Sequence, residues 1–190
     1  RRGAITADDF IGGNFGGDTV NRPAPPGDLA EGFRVAIARA LELAERGVES
    51  RPQDPEAHYQ LAATNALMAS YAATIEGRML GAFKLARVAY REAQSTLALN
   101  PARQDAGFIV GIYQYVVSTR SFATRFVARM GGVDSNREAG IVRVEAAFRN
   151  VGNKQADAGL ALVLIYNRER RYGDALGVLA QLRSRYPDNR

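Results

Sequence analysis

The chain has 190 residues, 46% hydrophobic and 24% charged, the length and composition of one ordinary domain with its own core. It has no Cys, which excludes a disulfide framework, a thiolate nucleophile and a Cys-based zinc site; one His, His58, is too few for a His-rich metal site. The net charge is +5, and every basic residue except Lys84 and Lys154 is Arg, whose planar fork pairs bidentately with carboxylate and phosphate.

Residues 1–27 carry Gly12-Gly13, Gly16-Gly17, Pro23, Pro25, Pro26 and Gly27 and no helical period, which reads as a flexible or extended arm. The run Gly12-Gly13-Asn14-Phe15-Gly16-Gly17 lacks the Gly-Lys-Ser/Thr ending of a phosphate loop. Phe10, Ile11 and Phe15 are apolar anchors available to that arm. From Asp28 onward the pattern is helical. Phe33, Ile37, Leu41 and Ala44 lie on one stripe, as do Leu80, Phe83, Ala86, Tyr90, Ala93 and Leu97, at steps of three and four. Asp54-Pro55 and Asn100-Pro101 place a capping side chain before a Pro whose missing N–H does no harm at a helix start. Ser135-Asn136-Arg137-Glu138 fits a capping box, and Asn153 is placed to cap a further start. The spacing predicts helices over 29–51, 55–74, 77–99, 102–118, 120–130, 135–151, 154–169 and 171–186. The fold class that follows is all-α. The longest apolar run, Ala106 to Val117, is shorter than the roughly 18 residues of a membrane span. The chain does not begin with Met, so an upstream signal or anchor is compatible with it, and bacterial periplasm and cytoplasm both stay open.

Three helices end in the same way before Pro52, Pro101 and Pro187. The last unit, Ala156 to Asn189, has the length of a tetratricopeptide repeat (TPR), and Leu162, Tyr166, Tyr172, Ala175 and Pro187 stand at that family's large, aromatic, small and Pro positions. On these residues the chain resembles the TPR superfamily, and bacterial TPR-like proteins with lengthened helices look similar. Val163, after Leu162, departs from the family's small residue. The same register puts Ala40, Ala89 and Gly111 at small positions where two helix backbones approach closely. Beyond the arm 1–27, the resemblance implies, over 28–190, antiparallel helix pairs stacked as a right-handed superhelix, with 120–130 as an inserted helix.

The family binds partners on the concave surface, formed by the first helix of each pair. Carried over residue by residue, that surface holds Tyr59 and Ala63, then Asp105, Phe108, Ile112 and Tyr115, then Asp157, Leu160, Leu164, Asn167 and Arg168. An exposed groove and a covered core are both open for it. The Lys and Asn pattern that clamps a C-terminal carboxylate is missing from these positions. The function implied is a non-enzymatic scaffold that binds a partner peptide or helix; the alternative is a small apolar ligand or lipid inside a closed superhelix, lined by Phe108, Ile112 and Tyr115. No catalytic residue, metal ligand set or cofactor is expected, and His58 has no nucleophile motif beside it.

Charge is uneven. Between Arg78 and Gly132 eight basic residues stand against Glu92 and Asp105. Lys84, Arg87 and Arg91 share one helix face, and Arg120, Arg125 and Arg129 follow, the last two opposite Phe122, Phe126 and Met130. A solvated face and a surface for an anionic partner are the two readings. The partner classes are an acidic protein segment, a peripheral membrane contact and, last, nucleic acid, for which no base-reading motif is present.

Overall fold

The computed structural model describes residues 25–119, 136–150, 152 and 154–188. Among them the regular structure is entirely helical: α1 (Gly27–Ser50), α2 (Pro55–Thr74), α3 (Met79–Leu99), α4 (Gln104–Ser118), α5 (Arg137–Arg149), α6 (Gln155–Arg168) and α7 (Tyr172–Arg185). The expected helix 120–130, the arm 1–24 and Asn153 lie outside the described residues. Neighbouring helices stack: α1 on α2, α2 on α3, α5 on α6, and α6 on α7. The chain divides into two compact units, with the boundary in the sequence falling within α4 between Ile109 and Val110.

Local chemistry sets the helix ends. Asp54 accepts the Glu56 N–H at 2.9 Å and starts α2, with Pro55 in the first turn. Asn136 caps α5 by accepting the Ala139 N–H at 3.1 Å; Ser135 of the expected capping box lies outside the described residues. Asn100 accepts the Ala102 N–H at 3.2 Å, but this closes a turn and α4 begins later, at Gln104. The residues just past α1, α3 and α7 are Arg51, Asn100 and Tyr186, with φ −138°, −143° and −127°. A Pro follows each, and its ring excludes the helical conformation from the residue before it, so these three helices stop alike.

The α6–α7 connection is a Schellman turn. Arg171 N–H bonds the Tyr166 carbonyl at 2.8 Å and Arg170 N–H bonds that of Asn167 at 3.1 Å. Arg170 sits at φ 59°, where glycine is the usual occupant.

In the first unit α2 buries Ala57, Leu61, Ala62, Ala69 and Ala72, and α3 buries Ala82, Ala89, Tyr90 and Ala93. The small side chains let these two helices approach closely. The α1 stripe Phe33, Ile37, Leu41 and Ala44 is the shielded side of that helix, and Phe33 stacks on Tyr71 with ring centroids 4.3 Å apart. Leu80 departs from the predicted α3 stripe. It stands exposed in the first turn, and the shielded part of the stripe starts at Phe83.

In the second unit the core is Val110, Tyr113, Tyr115 and Val117 of α4 with Ile141, Val144, Phe148, Leu162, Ile165, Tyr166, Ala175 and Val178. Helices α4 and α5 cross backbone to backbone. A Cβ on Gly111 would lie 2.7 Å from the Gly140 carbonyl oxygen, and one on Gly140 would lie 2.8 Å from that of Gly111. Gly107 has no such role, since an added Cβ there would meet only the side chain of Gln104 at 3.6 Å.

Candidate interaction surfaces

Tyr59 rises from the second turn of α2 and is buried. Arg103, just ahead of α4, lies over its ring, 4.2 Å from the centroid. The same guanidinium binds the Glu56 carboxylate through Nη1, and its Nε stands 3.9 Å from Asp105 Oδ2. The hydrogen bonds of Glu56 to Arg103 and Gln60 hold its carboxyl below the usual range. Burial first, then the Asp105 charge, raises the Tyr59 phenol. The structure therefore joins Tyr59 and Asp105 through Arg103, and the ring is covered rather than presented. Phe108 and Ile112 are half-buried one turn apart on α4.

Tyr115 is fully buried in the second unit and donates its hydroxyl to Glu169 Oε1 at 3.0 Å. Glu169 Oε2 also receives Arg137 Nη1 at 3.1 Å, so one carboxylate ties α4, α5 and the end of α6. Tyr166 repeats the arrangement. It donates to Glu145 Oε1 at 2.6 Å, and Arg171 lies over its ring at 4.4 Å. Burial, then the carboxylate each one faces, pushes both phenols far above the ordinary tyrosine range.

The remaining first-helix positions are on α6. Leu160 is 58% exposed, Asp157 and Asn167 are exposed, and Leu164 and Arg168 are half-buried. Their spacing sets them on one face, opposite the buried Ala158, Leu162 and Ile165. Nη1 of Arg168 is itself buried without a hydrogen-bond partner among the described residues. Behind this helix a groove of about 470 Å³ runs between α5 and α7, with Phe148, Leu162, Tyr166 and Val178 along it and Glu145 and Asp174 among its polar residues.

Lys84, Arg87 and Arg91 form an exposed row on α3. Arg120, Arg125 and Arg129 lie outside the described residues, so the structure gathers half of the expected basic surface. His58 is held by two acceptors: Nδ1 stands 2.7 Å from Glu92 Oε2 and Nε2 3.0 Å from the Pro52 carbonyl oxygen. It is a staple between the α1–α2 turn and α3. Among the described residues no group of three His, Asp or Glu side chains is placed to hold a metal ion, and no helix is long and apolar enough to cross a membrane.

Compared with known proteins, the chain matches no family model, no curated protein and no solved structure.

Sequence reading gave Arg103 only as one of eight basic residues and did not pick out Glu169, Gln155 or Gly159; the roles of Arg103 and Glu169 were missed for one reason. Both act on partners 47 and 54 residues away, beyond the reach of helical periodicity. Gln155 is buried and donates to the Phe148 carbonyl at 3.0 Å. A Cβ on Gly159 would meet Leu182 Cδ2 and Phe148 Cε2, both at 2.8 Å. A glycine three residues before Leu162, on its helix face, was the available signal.

Proposed function

We propose that this chain is a non-enzymatic interaction module of the TPR type, which binds a peptide or helix of a partner protein on the faces of its first helices. The observation that carries the reading is the outer face of α6. Asp157, Leu160, Leu164 and Asn167 follow one another along a helix whose opposite side is fixed in the core. An exposed leucine flanked by groups that accept and donate hydrogen bonds supplies both area and register to an incoming segment. The three helices that stop alike before Pro52, Pro101 and Pro187, and the buried Ala89, Gly111 and Ala175 at close-approach positions, support the repeat part of the reading. An acidic partner suits the α3 row Lys84, Arg87 and Arg91, because opposite charge speeds encounter.

The test is a pull-down with the full chain against a variant carrying Leu160→Glu and Asn167→Ala, quantified by mass spectrometry. Both positions are exposed, so circular dichroism should be unchanged. A protein captured by the wild type and lost from the variant is the expected result. Identical captured sets would remove α6 as the binding face.

A further inference from the structure

Helix α1 uses one side against α2 and leaves an apolar strip beside it. Leu29 is 64% exposed and Leu43 51%, with Ala36 exposed between them and Gly32 open to space where a Cβ would stand. The strip is symmetric in sequence. Leu29 lies seven residues before Ala36 and Leu43 seven after, two heptad steps on one helix face. Its charged edge has the matching symmetry. Asp28 and Arg46 project on the same side of the strip, eight residues before and ten after Ala36, and both are exposed. Among the described residues Arg46 is ion-paired with Glu42 of its own helix alone, at 3.8 Å, and Asp28 has no ion pair.

We propose that a second copy of this chain covers the strip, with the two α1 helices antiparallel and Ala36 on the two-fold axis. In that arrangement Leu29 packs on the partner's Leu43, and the reverse contact repeats it. Asp28 falls about two residues, or roughly 3 Å of helix rise, from the partner's Arg46, giving two symmetric ion pairs. Ala36 and Gly32 are small enough for a close helix crossing, with Arg39 at the charged edge held by Glu42 of its own helix at 2.6 Å, and a closed two-fold contact is self-complementary by construction. A strip that pairs its own acid with its own base on inversion fits a second copy better than it fits an unrelated helix. This inference stands apart from the binding reading of α6, because it uses a different helix and a different readout.

The test uses the full chain. Light scattering after size exclusion should show a dimer at micromolar concentration. Ala36→Arg, an exposed substitution that should leave circular dichroism unchanged, should make it monomeric. Asp28→Arg or Arg46→Asp alone should each weaken the dimer about tenfold, as expected for losing two exposed ion pairs, and the double swap should restore it. The chain has no Cys, so introduced ones report unambiguously. Ala36→Cys should link to itself on oxidation. Leu29→Cys should not link to itself but should link when mixed with Leu43→Cys. A chain that stays monomeric overturns the proposal, as does a dimer that survives Ala36→Arg or one in which Leu29→Cys links to itself.

Discussion

The crossing of α4 and α5 gives the sharpest stability prediction. Replacing Gly111 with Ala adds one methyl group. That carbon would stand 2.7 Å from the Gly140 carbonyl oxygen, 2.9 Å from Arg143 Cβ and 3.0 Å from Val144 Cγ2. The nearest of these is backbone and cannot turn aside as a side-chain tip would, so the two helices must separate. Overpacking of this kind costs about 1–3 kcal/mol. Alanine's better helix propensity returns up to about 1 kcal/mol, so the net loss should be about 1–2 kcal/mol. At the rate expected for a chain of this size, that lowers the melting temperature by roughly 2–8 °C. Gly177 is the control. It is exposed within α7 with nothing within 4 Å of an added Cβ, so Gly177→Ala should raise stability by about 0.5–1 kcal/mol. Thermal unfolding followed by circular dichroism measures both. A Gly111→Ala protein as stable as the wild type, or moving with Gly177→Ala, would refute the close crossing.

The His58 staple should be pH-dependent. Burial disfavours the charged ring, but the hydrogen bonds to Glu92 and Pro52 and the charges of Glu92 and Asp54 outweigh it, so the pKa rises above 6.5. Both partners are acceptors, and only the imidazolium has two N–H groups to give. The stabilisation is therefore complete below the unfolded pKa and is lost as pH rises through the raised, folded one; the stability gap between wild type and His58→Gln should shrink as pH rises above the ordinary histidine range in urea titrations, and a gap that widens would contradict it. Arg170→Gly should raise the melting temperature, since Arg170 holds a left-handed conformation that costs a residue with a Cβ about 1 kcal/mol. Changing Lys84, Arg87 and Arg91 together to Glu should leave the fold intact and weaken capture of an acidic partner far more at low salt than at high salt; equal weakening at both would argue against steering by charge.

The helices were legible because their ends obey local rules. Asp54-Pro55 starts α2 where expected, and Pro52, Pro101 and Pro187 stop the helices before them. The α4 start was misplaced by two residues, since Asn100-Pro101 has the composition of a cap but closes a turn instead. The close approach was legible at Gly111, and Ala89 and Ala175 are buried as small residues among larger ones, whereas Ala40 is only half-buried. Gly107 shows the limit of that signal. A helix with two glycines four apart does not reveal which one faces a neighbour. The first-helix tyrosines were legible as positions and not as environments. Whether Tyr59 is presented or covered depends on Arg103, and nothing near Tyr59 in the sequence announces it.

Related chemistry recurs at three of the helix junctions. Tyr59 meets Arg103 and, through it, Glu56; Tyr166 meets Arg171 and Glu145; Tyr115 meets Glu169, which holds Arg137. Each of these arginines stands at the beginning of a helix, α4, α7 or α5, where the dipole disfavours a cation. Two of the three have an acid in the next turn that offsets this, Asp105 at 3.9 Å and Asp174 at 2.7 Å, and all three have a glutamate from another segment. Arginine suits the position where lysine would not, because a flat guanidinium can lie on a ring and fork to a carboxylate at once. A phenol locked in this way has its hydroxyl or its face already committed. Tyr59 and Tyr115 stand among the first-helix positions that TPR-type binding would use, yet both are spent on holding helices together. On α6 the tyrosine, Tyr166, points inward to its own clamp, and Leu160 and Asn167 point outward. The clamps thus fix the helix junctions, while Leu160 and Asn167 stay exposed on the outer face of α6.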